Sequence, residues 1–259
     1  MLLYSITYKT GERGMKMFES VKGLFLEANM LIKTIPVLKK IKSNPEKYTE
    51  NYKYDIMKKF IDRSLQGIKQ EVVVYGSENI PQENALFVGN HKSMIDGFIM
   101  PTVVNKPIGM IVAKEPLHEN LPIATDWMKI NRCLFIDREN NREAIKTINE
   151  AVEIVKNYRS IGAFPEGNIT PNNISIDEFK DGLFKIALKA NCPVVPIVIK
   201  GSENSYKYRK NFLPRIKKSK IEVHILEPIR IHMNPGKKIS TKELSQKTRE
   251  IMIKELENK

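Results

Sequence analysis

The chain has 259 residues, two cysteines and a formal charge of +13. That length suits one large domain, or one domain with a smaller appendage, and a core of that size needs no disulfide or metal staples. Cys133 and Cys192 lie far apart in apolar runs with no CxxC spacing and no accompanying histidine cluster. They read as buried thiols in a reducing compartment, and no metal site is expected.

The charge is uneven. Residues 1–70 hold 14 Lys/Arg against seven Asp/Glu, residues 200–259 hold 16 against seven, and the middle carries a net charge of −3. Basic flanks suit an anionic partner: a membrane surface, an acidic carrier protein or a nucleic acid. The stretch YKYRKNFLPRIKKSK, Tyr206 to Lys220, has seven basic residues, no acidic ones and interleaved aromatics. It fits a lipid headgroup surface, RNA contact or a solvated basic loop alike.

In chain order, two helical segments come first, at about 15–42 and 50–68, broken at Asn44-Pro45. In the first, apolar residues recur at three- and four-residue steps with lysines between them. That is the pattern of an interfacial amphipathic helix, and equally of a helix packed on a core. β-rich runs follow at 71–76, 85–89, 108–114, 132–137, 161–164, 192–201 and 220–226, with helical patterns at 141–158, 180–190 and 241–257. The last opens on Ser240-Thr241-Lys242-Glu243, a capping-box spacing. Strands alternating with helices predict an α/β fold, a mixed central β-sheet flanked by helices. The expected division is 1–69, an N-terminal helical, membrane-associating segment, and 70–259, the α/β domain. The longest clean apolar run, CPVVPIVI, is far short of the ~18–20 residues that cross a bilayer, and the N-terminus lacks signal-peptide order. A cytoplasmic chain lying peripherally on a membrane is expected. No glycine-rich nucleotide-phosphate loop occurs.

NHKSMIDGF, Asn90 to Phe98, carries the chemistry. ALFVG reads as a buried strand and Asn90–Lys92 as the turn leaving it. Ser93 can N-cap a helix beginning at Met94, with Asp96 at its third position. Capping explains Ser93 and Asp96 without chemistry, but not Asn90 or His91. A histidine just beyond a strand end sits where α/β folds place their sites. Asp96 within reach of its ring would fix one tautomer and support the imidazolium, making His91 a general base. With no GxSxG serine, the hydroxyl to be activated is a substrate's own.

Further blocks follow in order: FIDR (135–138), FPEG (164–167) and VPI (195–197), with AKEPL (113–117) and FKDGLFKIA (179–187) between them. With the HxxxxD spacing of His91 and Asp96, these resemble the lysophosphatidate (1-acylglycerol-3-phosphate) O-acyltransferase family over roughly residues 70–230. The resemblance implies that His91 is the general base for the free sn-2 hydroxyl and that Asp96 orients it. It implies acyl-CoA or acyl carrier protein as co-substrate donor, and no further cofactor. Arg138, Glu166 and Gly167 match positions associated with the glycerol-phosphate acceptor, and Lys114 and Lys180 are further phosphate candidates. Pro196 looks structural, near the acyl-binding region. Backbone amides near the His91 turn would hold the oxyanion. The expected partners are an anionic membrane surface, a lysophospholipid acceptor and acyl carrier protein, with no nucleic acid.

One departure stands out. The family's third block usually continues FPEGTRS, whereas here it reads FPEGNIT, with Ile169 in place of the arginine. That leaves room for the same chemistry on a different lysolipid or lipid-like alcohol. A reading of another class is a non-catalytic protein whose basic flanks bind membrane or RNA surfaces.

Overall fold

The computed structural model describes residues 29, 31–113, 122–137, 139–170, 175–209, 212–231 and 239–258. Most of the amphipathic pattern at 15–42 therefore lies outside the described residues, as do Lys114 and Arg138.

Seven strands form one sheet: β1 (Gln70–Tyr75), β2 (Leu86–Gly89), β3 (Ile108–Ala113), β4 (Leu134–Ile136), β5 (Ser160–Ala163), β6 (Val194–Lys200) and β9 (Ser219–Ile225), in the order β1-β9-β6-β2-β5-β3-β4. Only β6 and β9 pair antiparallel; every other neighbour is parallel. The mixed sheet is as expected. The central strand β2 is buried on both faces, which is why it reads as a continuous apolar run rather than an alternation.

Helices cover both faces. α2 (Glu50–Gly67) and α3 (Asp96–Val104) pack Tyr54, Met57, Ile61, Ile99 and Val103 against Phe87, Val195 and Val223. α5 (Asn141–Asn157), α6 (Lys185–Ala190) and α7 (Thr241–Glu257) pack Val152, Ile186, Leu244 and Met252 against Leu86, Val88 and Val198. Two further helices, α1 (Ile35–Ser43) and α4 (Pro122–Ile130), meet through Leu38, Ile41 and Trp127.

Residues 50–67 are therefore not an appendage. α2 supplies four core side chains, and Tyr54 Oη donates to the carbonyl of Pro101 at 2.7 Å. Its first residue, Glu50, accepts from Arg132 Nε at 3.0 Å and from the fully buried Arg159 Nε at 2.7 Å. The boundary expected at 69/70 cuts through this core. The α2 pattern alternates lysines with apolar residues, so it reads as surface-seeking until the partner face is known. The basic stretch 206–220 contains a hairpin, β7 (Tyr206–Arg209) and β8 (Phe212–Ile216), followed by the start of β9.

Candidate active site

Because β2, β5 and β6 run parallel, the segments leaving their C-terminal ends lie along one edge of the sheet. His91 follows β2, and Phe164-Pro165-Glu166-Gly167 follows β5. That edge is where α/β sheets place their chemistry.

His91 Nδ1 lies 3.0 Å from Asp96 Oδ2, and Asp96 is fully buried. The same oxygen accepts the backbone N–H groups of Lys92 at 2.6 Å and Ser93 at 2.7 Å. The expected capping geometry is thus reversed. The helix begins at Asp96, and the Ser93 hydroxyl has no hydrogen-bond partner among the described residues. The aspartate, on the first helical residue, folds back over the turn. A carboxylate is the stronger acceptor and can take both amides as well as the ring, so it displaces the hydroxyl from the role of cap.

The ring is fixed from below. His91 stacks on Phe164, with centroids 4.3 Å apart and 13° between planes. Phe164 fits there because Gly89 ends β2: a Cβ at Gly89 would lie 2.8 Å from the Phe164 ring. Asn90 is buried and clamps the turn to β6, donating from Nδ2 to Ile199 O at 2.9 Å and accepting Ile199 N–H at 2.7 Å. With Nδ1 facing the carboxylate, the ring offers Nε2 as its free basic nitrogen, which has no partner among the described residues.

Glu166 lies beneath this turn. Oε1 accepts the His91 amide at 2.7 Å, Oε2 accepts the Asp177 amide at 2.9 Å, and the Lys92 ammonium lies 3.7 Å from Oε2. Both side chains of the Lys92–Glu166 pair are buried, and Lys92 Nζ also donates to the Ser175 carbonyl. The carboxylate faces the His91 turn rather than open solvent. Thr170 N–H returns to the His91 carbonyl at 3.0 Å. The amides of residues 91, 92 and 93 are all engaged internally, and so are not free to serve as the oxyanion donors expected there.

Gly167 has φ +79°, and a Cβ there would lie 2.9 Å from Lys180 Cε and 3.1 Å from its Nζ. The Lys180 arm therefore lies across the FPEG turn, its own amide held by the Pro165 carbonyl at 2.9 Å. Lys180 is exposed, and so in part is Ile169 at 37%. Met94 and Phe98, flanking Asp96, are also exposed apolar groups. The structure thus brings His91, Asp96, Glu166, Gly167 and Lys180 to one region. Gly89, Asn90, Lys92 and Phe164 join them as residues that motif reading assigned no role. A glycine at a strand end facing an aromatic just beyond the neighbouring strand has no signal in one sequence.

Cys133 and Cys192 are free and buried, and burial pushes both thiols up to about 11, which removes them as nucleophiles at neutral pH. No cluster of His, Cys, Asp and Glu suited to a metal occurs among the described residues.

A family model described as Acyltransferase matches residues 71–200, half of the chain. The chain belongs to the acyltransferase family. A probable 1-acyl-sn-glycerol-3-phosphate acyltransferase of Mycoplasma pneumoniae is 31% identical over 201 residues, 74% of this chain and 71% of that protein. The 1-acyl-sn-glycerol-3-phosphate acyltransferase of Saccharomyces cerevisiae is 29% identical over 185 residues, 71% of this chain and 59% of its own length. The crystal structure of the 1-acyl-sn-glycerophosphate acyltransferase PlsC from Thermotoga maritima superposes with a TM-score of 0.75 at 23% identity, over 95% of this chain and 96% of that one. That superposition establishes the acyltransferase fold. The resemblance drawn from HxxxxD, FIDR, FPEG and VPI is borne out at the level of the family.

Proposed function

We propose that this acyltransferase moves a fatty acyl group from a thioester, acyl-CoA or acyl carrier protein, to the free sn-2 hydroxyl of 1-acylglycerol-3-phosphate. The relatives' names supply the acceptor class. The observation that carries the chemistry is the His91–Asp96 contact at 3.0 Å with the carboxylate buried. His91 Nε2 takes the hydroxyl proton as the oxygen attacks the thioester carbonyl carbon. Asp96 stabilises the imidazolium that forms. The tetrahedral intermediate then collapses, the C–S bond breaks, and the proton passes from His91 to the departing thiolate.

In this reading Glu166 positions the base rather than binding the acceptor. A buried carboxylate repels a phosphate, and its oxygens already serve two amides. Gly167 admits the Lys180 arm, and Lys180, with Arg138 and Lys114, supplies positive charge for the glycerol phosphate. Met94, Phe98 and Ile169 offer an apolar rim suited to an acyl chain or a bilayer surface. The enzyme works peripherally on the cytoplasmic leaflet of an anionic membrane. No described helix is long and apolar enough to cross one.

The test is acyl transfer from palmitoyl-CoA and palmitoyl-carrier protein to lysophosphatidate in mixed vesicles, wild type beside His91→Ala. Phosphatidate formed by wild type alone supports the reading, and the ratio of the two rates reports donor preference. The exposed Ile169 favours a second reading, an acceptor without a plain phosphate monoester. Product from another lysolipid, with none from lysophosphatidate, would establish that one instead.

A further inference from the structure

We propose that Arg249, on the C-terminal helix α7, is a positioning residue for the catalytic histidine; the inference rests on His91 being the base. Arg249 Nη2 donates to the Ile176 carbonyl at 2.6 Å, and Nε donates to the Asp177 carbonyl at 2.8 Å. The Ile176 carbonyl and the Asp177 N–H belong to the same peptide unit. That N–H is the group donating to Glu166 Oε2 at 2.9 Å, while Glu166 Oε1 takes the His91 amide at 2.7 Å. A peptide unit is planar and rigid, so fixing its oxygen fixes the direction of its N–H. A cation on the oxygen also polarises the unit and strengthens its N–H as a donor. Arg249 thus acts on His91 through one peptide plane and one carboxylate.

Each end of the relay is anchored. Ile176 is buried in the core beneath α7, and Lys92 holds the neighbouring Ser175 carbonyl. α7 is seated by Leu244 and Met252, both fully buried, and starts on a complete capping box at Ser240 and Glu243. Thr170, which returns its N–H to the His91 carbonyl, also bonds Asp177 through its hydroxyl. The turn bearing the base is therefore gripped on its N–H and C=O by groups that converge on Asp177. A guanidinium bridges two successive carbonyls in a way an ammonium does not, because its donors are held in a fixed fork. Arg249 lies outside residues 71–200, where the family match ends.

The experiment compares wild type with Arg249→Met, Arg249→Lys and Met252→Ala. Met252→Ala loosens α7 on the sheet without touching Asp177, and so reports a purely structural effect. Arg249→Met is expected to lower kcat by about 10- to 100-fold, the scale of a small misplacement of a catalytic group. KM for donor and acceptor should change less than about twofold, since substrate contacts are intact. Arg249→Lys should recover part of the lost kcat, and Met252→Ala should lower Tm while keeping kcat. Amide hydrogen exchange over 88–93 and 175–179 is followed on the same proteins, and it needs no substrate. Loss of protection in Arg249→Met but not in Met252→Ala supports the relay, even if lysophosphatidate proves to be the wrong acceptor. Unchanged protection and kcat in Arg249→Met, or losses in both variants that track Tm, overturn it.

Discussion

Glu166→Gln is the sharpest perturbation of the site, because it keeps shape and removes charge. In the native protein the carboxylate accepts two amides and faces a buried ammonium at 3.7 Å. Glutamine has one oxygen for two N–H donors, so its own NH2 must confront either His91 or Asp177. That loses one charge-assisted hydrogen bond, worth about 1.5–3 kcal/mol. It also leaves Lys92, 1% exposed, with only the Ser175 carbonyl as partner among the described residues. Removing one member of a buried ion pair costs about 3–5 kcal/mol in total. Against a domain stability of about 5–15 kcal/mol, the variant should be folded but weakened. Lys92→Met should destabilise similarly, leaving a buried carboxylate.

Urea unfolding of both single variants and the double variant closes the cycle. The double variant should be less damaged than the sum of the singles by about 0.5–3 kcal/mol, the range for groups in direct contact. Activity should not recover with stability, since His91 still lacks a proper acceptor for its amide. A loss below about 1 kcal/mol in Glu166→Gln would mean that the charge is not held in the interior as described. Recovery of kcat in the double variant would show that Glu166 does not position His91.

Asp96→Asn should lower kcat by about 10⁴-fold with the fold retained, because an amide no longer selects the tautomer or supports the imidazolium; steady-state kinetics at fixed pH check this. Ser93→Ala should change stability by less than about 0.5 kcal/mol in chemical denaturation, as its hydroxyl has no partner among the described residues, whereas loss of a true helix cap costs about 1 kcal/mol. Lys180→Met should raise KM for lysophosphatidate with little change in KM for the thioester, and Ile169→Arg in that background should reverse the effect if both sites serve the phosphate. Burial pushes the Glu50 carboxyl up, but its hydrogen bond to Arg132 and the charges of Arg159 and Arg132 outweigh that and hold it below the usual range. A depressed carboxyl contributes stability above its unfolded pKa of ~4.3 and loses it as pH falls through the folded value. Glu50→Gln should therefore be less stable than wild type at neutral pH and should lose less stability on acidification below about pH 4, as read from urea midpoints against pH.

The sequence carried the sheet strands well, because β2, β5 and β6 are apolar on both faces and end at sharp composition changes. It carried the pairing of His91 with Asp96 because both lie on one turn, five residues apart. It failed at Ser93, where local capping rules favour the hydroxyl. The competing acceptor, Asp96, wins because one carboxylate oxygen collects three donors. It failed at α2, where the lysines mask a buried face that only the opposing β6 and β9 side chains reveal. α4 went unseen because Pro122–Ile130 is short and its buried face is met by α1, far off in sequence.

These failures share a cause that bears on how the site works. The HxxxxD turn carries His91 and Asp96, the proposed base and its orienting acid, and those are the two residues local spacing identifies. What holds the turn in register comes from three distant places: Ile199 on β6 through Asn90, the segment after β5 through Glu166 and Phe164, and α7 through Arg249. Each of these contacts spans 70 residues or more of chain. His91 cannot shift without breaking hydrogen bonds on both its N–H and its C=O, and a stacked ring as well. Such a turn is preorganised before substrate arrives, which is where positioned general bases obtain much of their advantage. The chemistry is local in sequence and its rigidity is not. Variants at the groups that grip the turn, Asn90, Phe164, Glu166 and Arg249, should therefore act mainly on kcat, while variants at the exposed Met94, Phe98 and Ile169 act on KM for the lipid substrates.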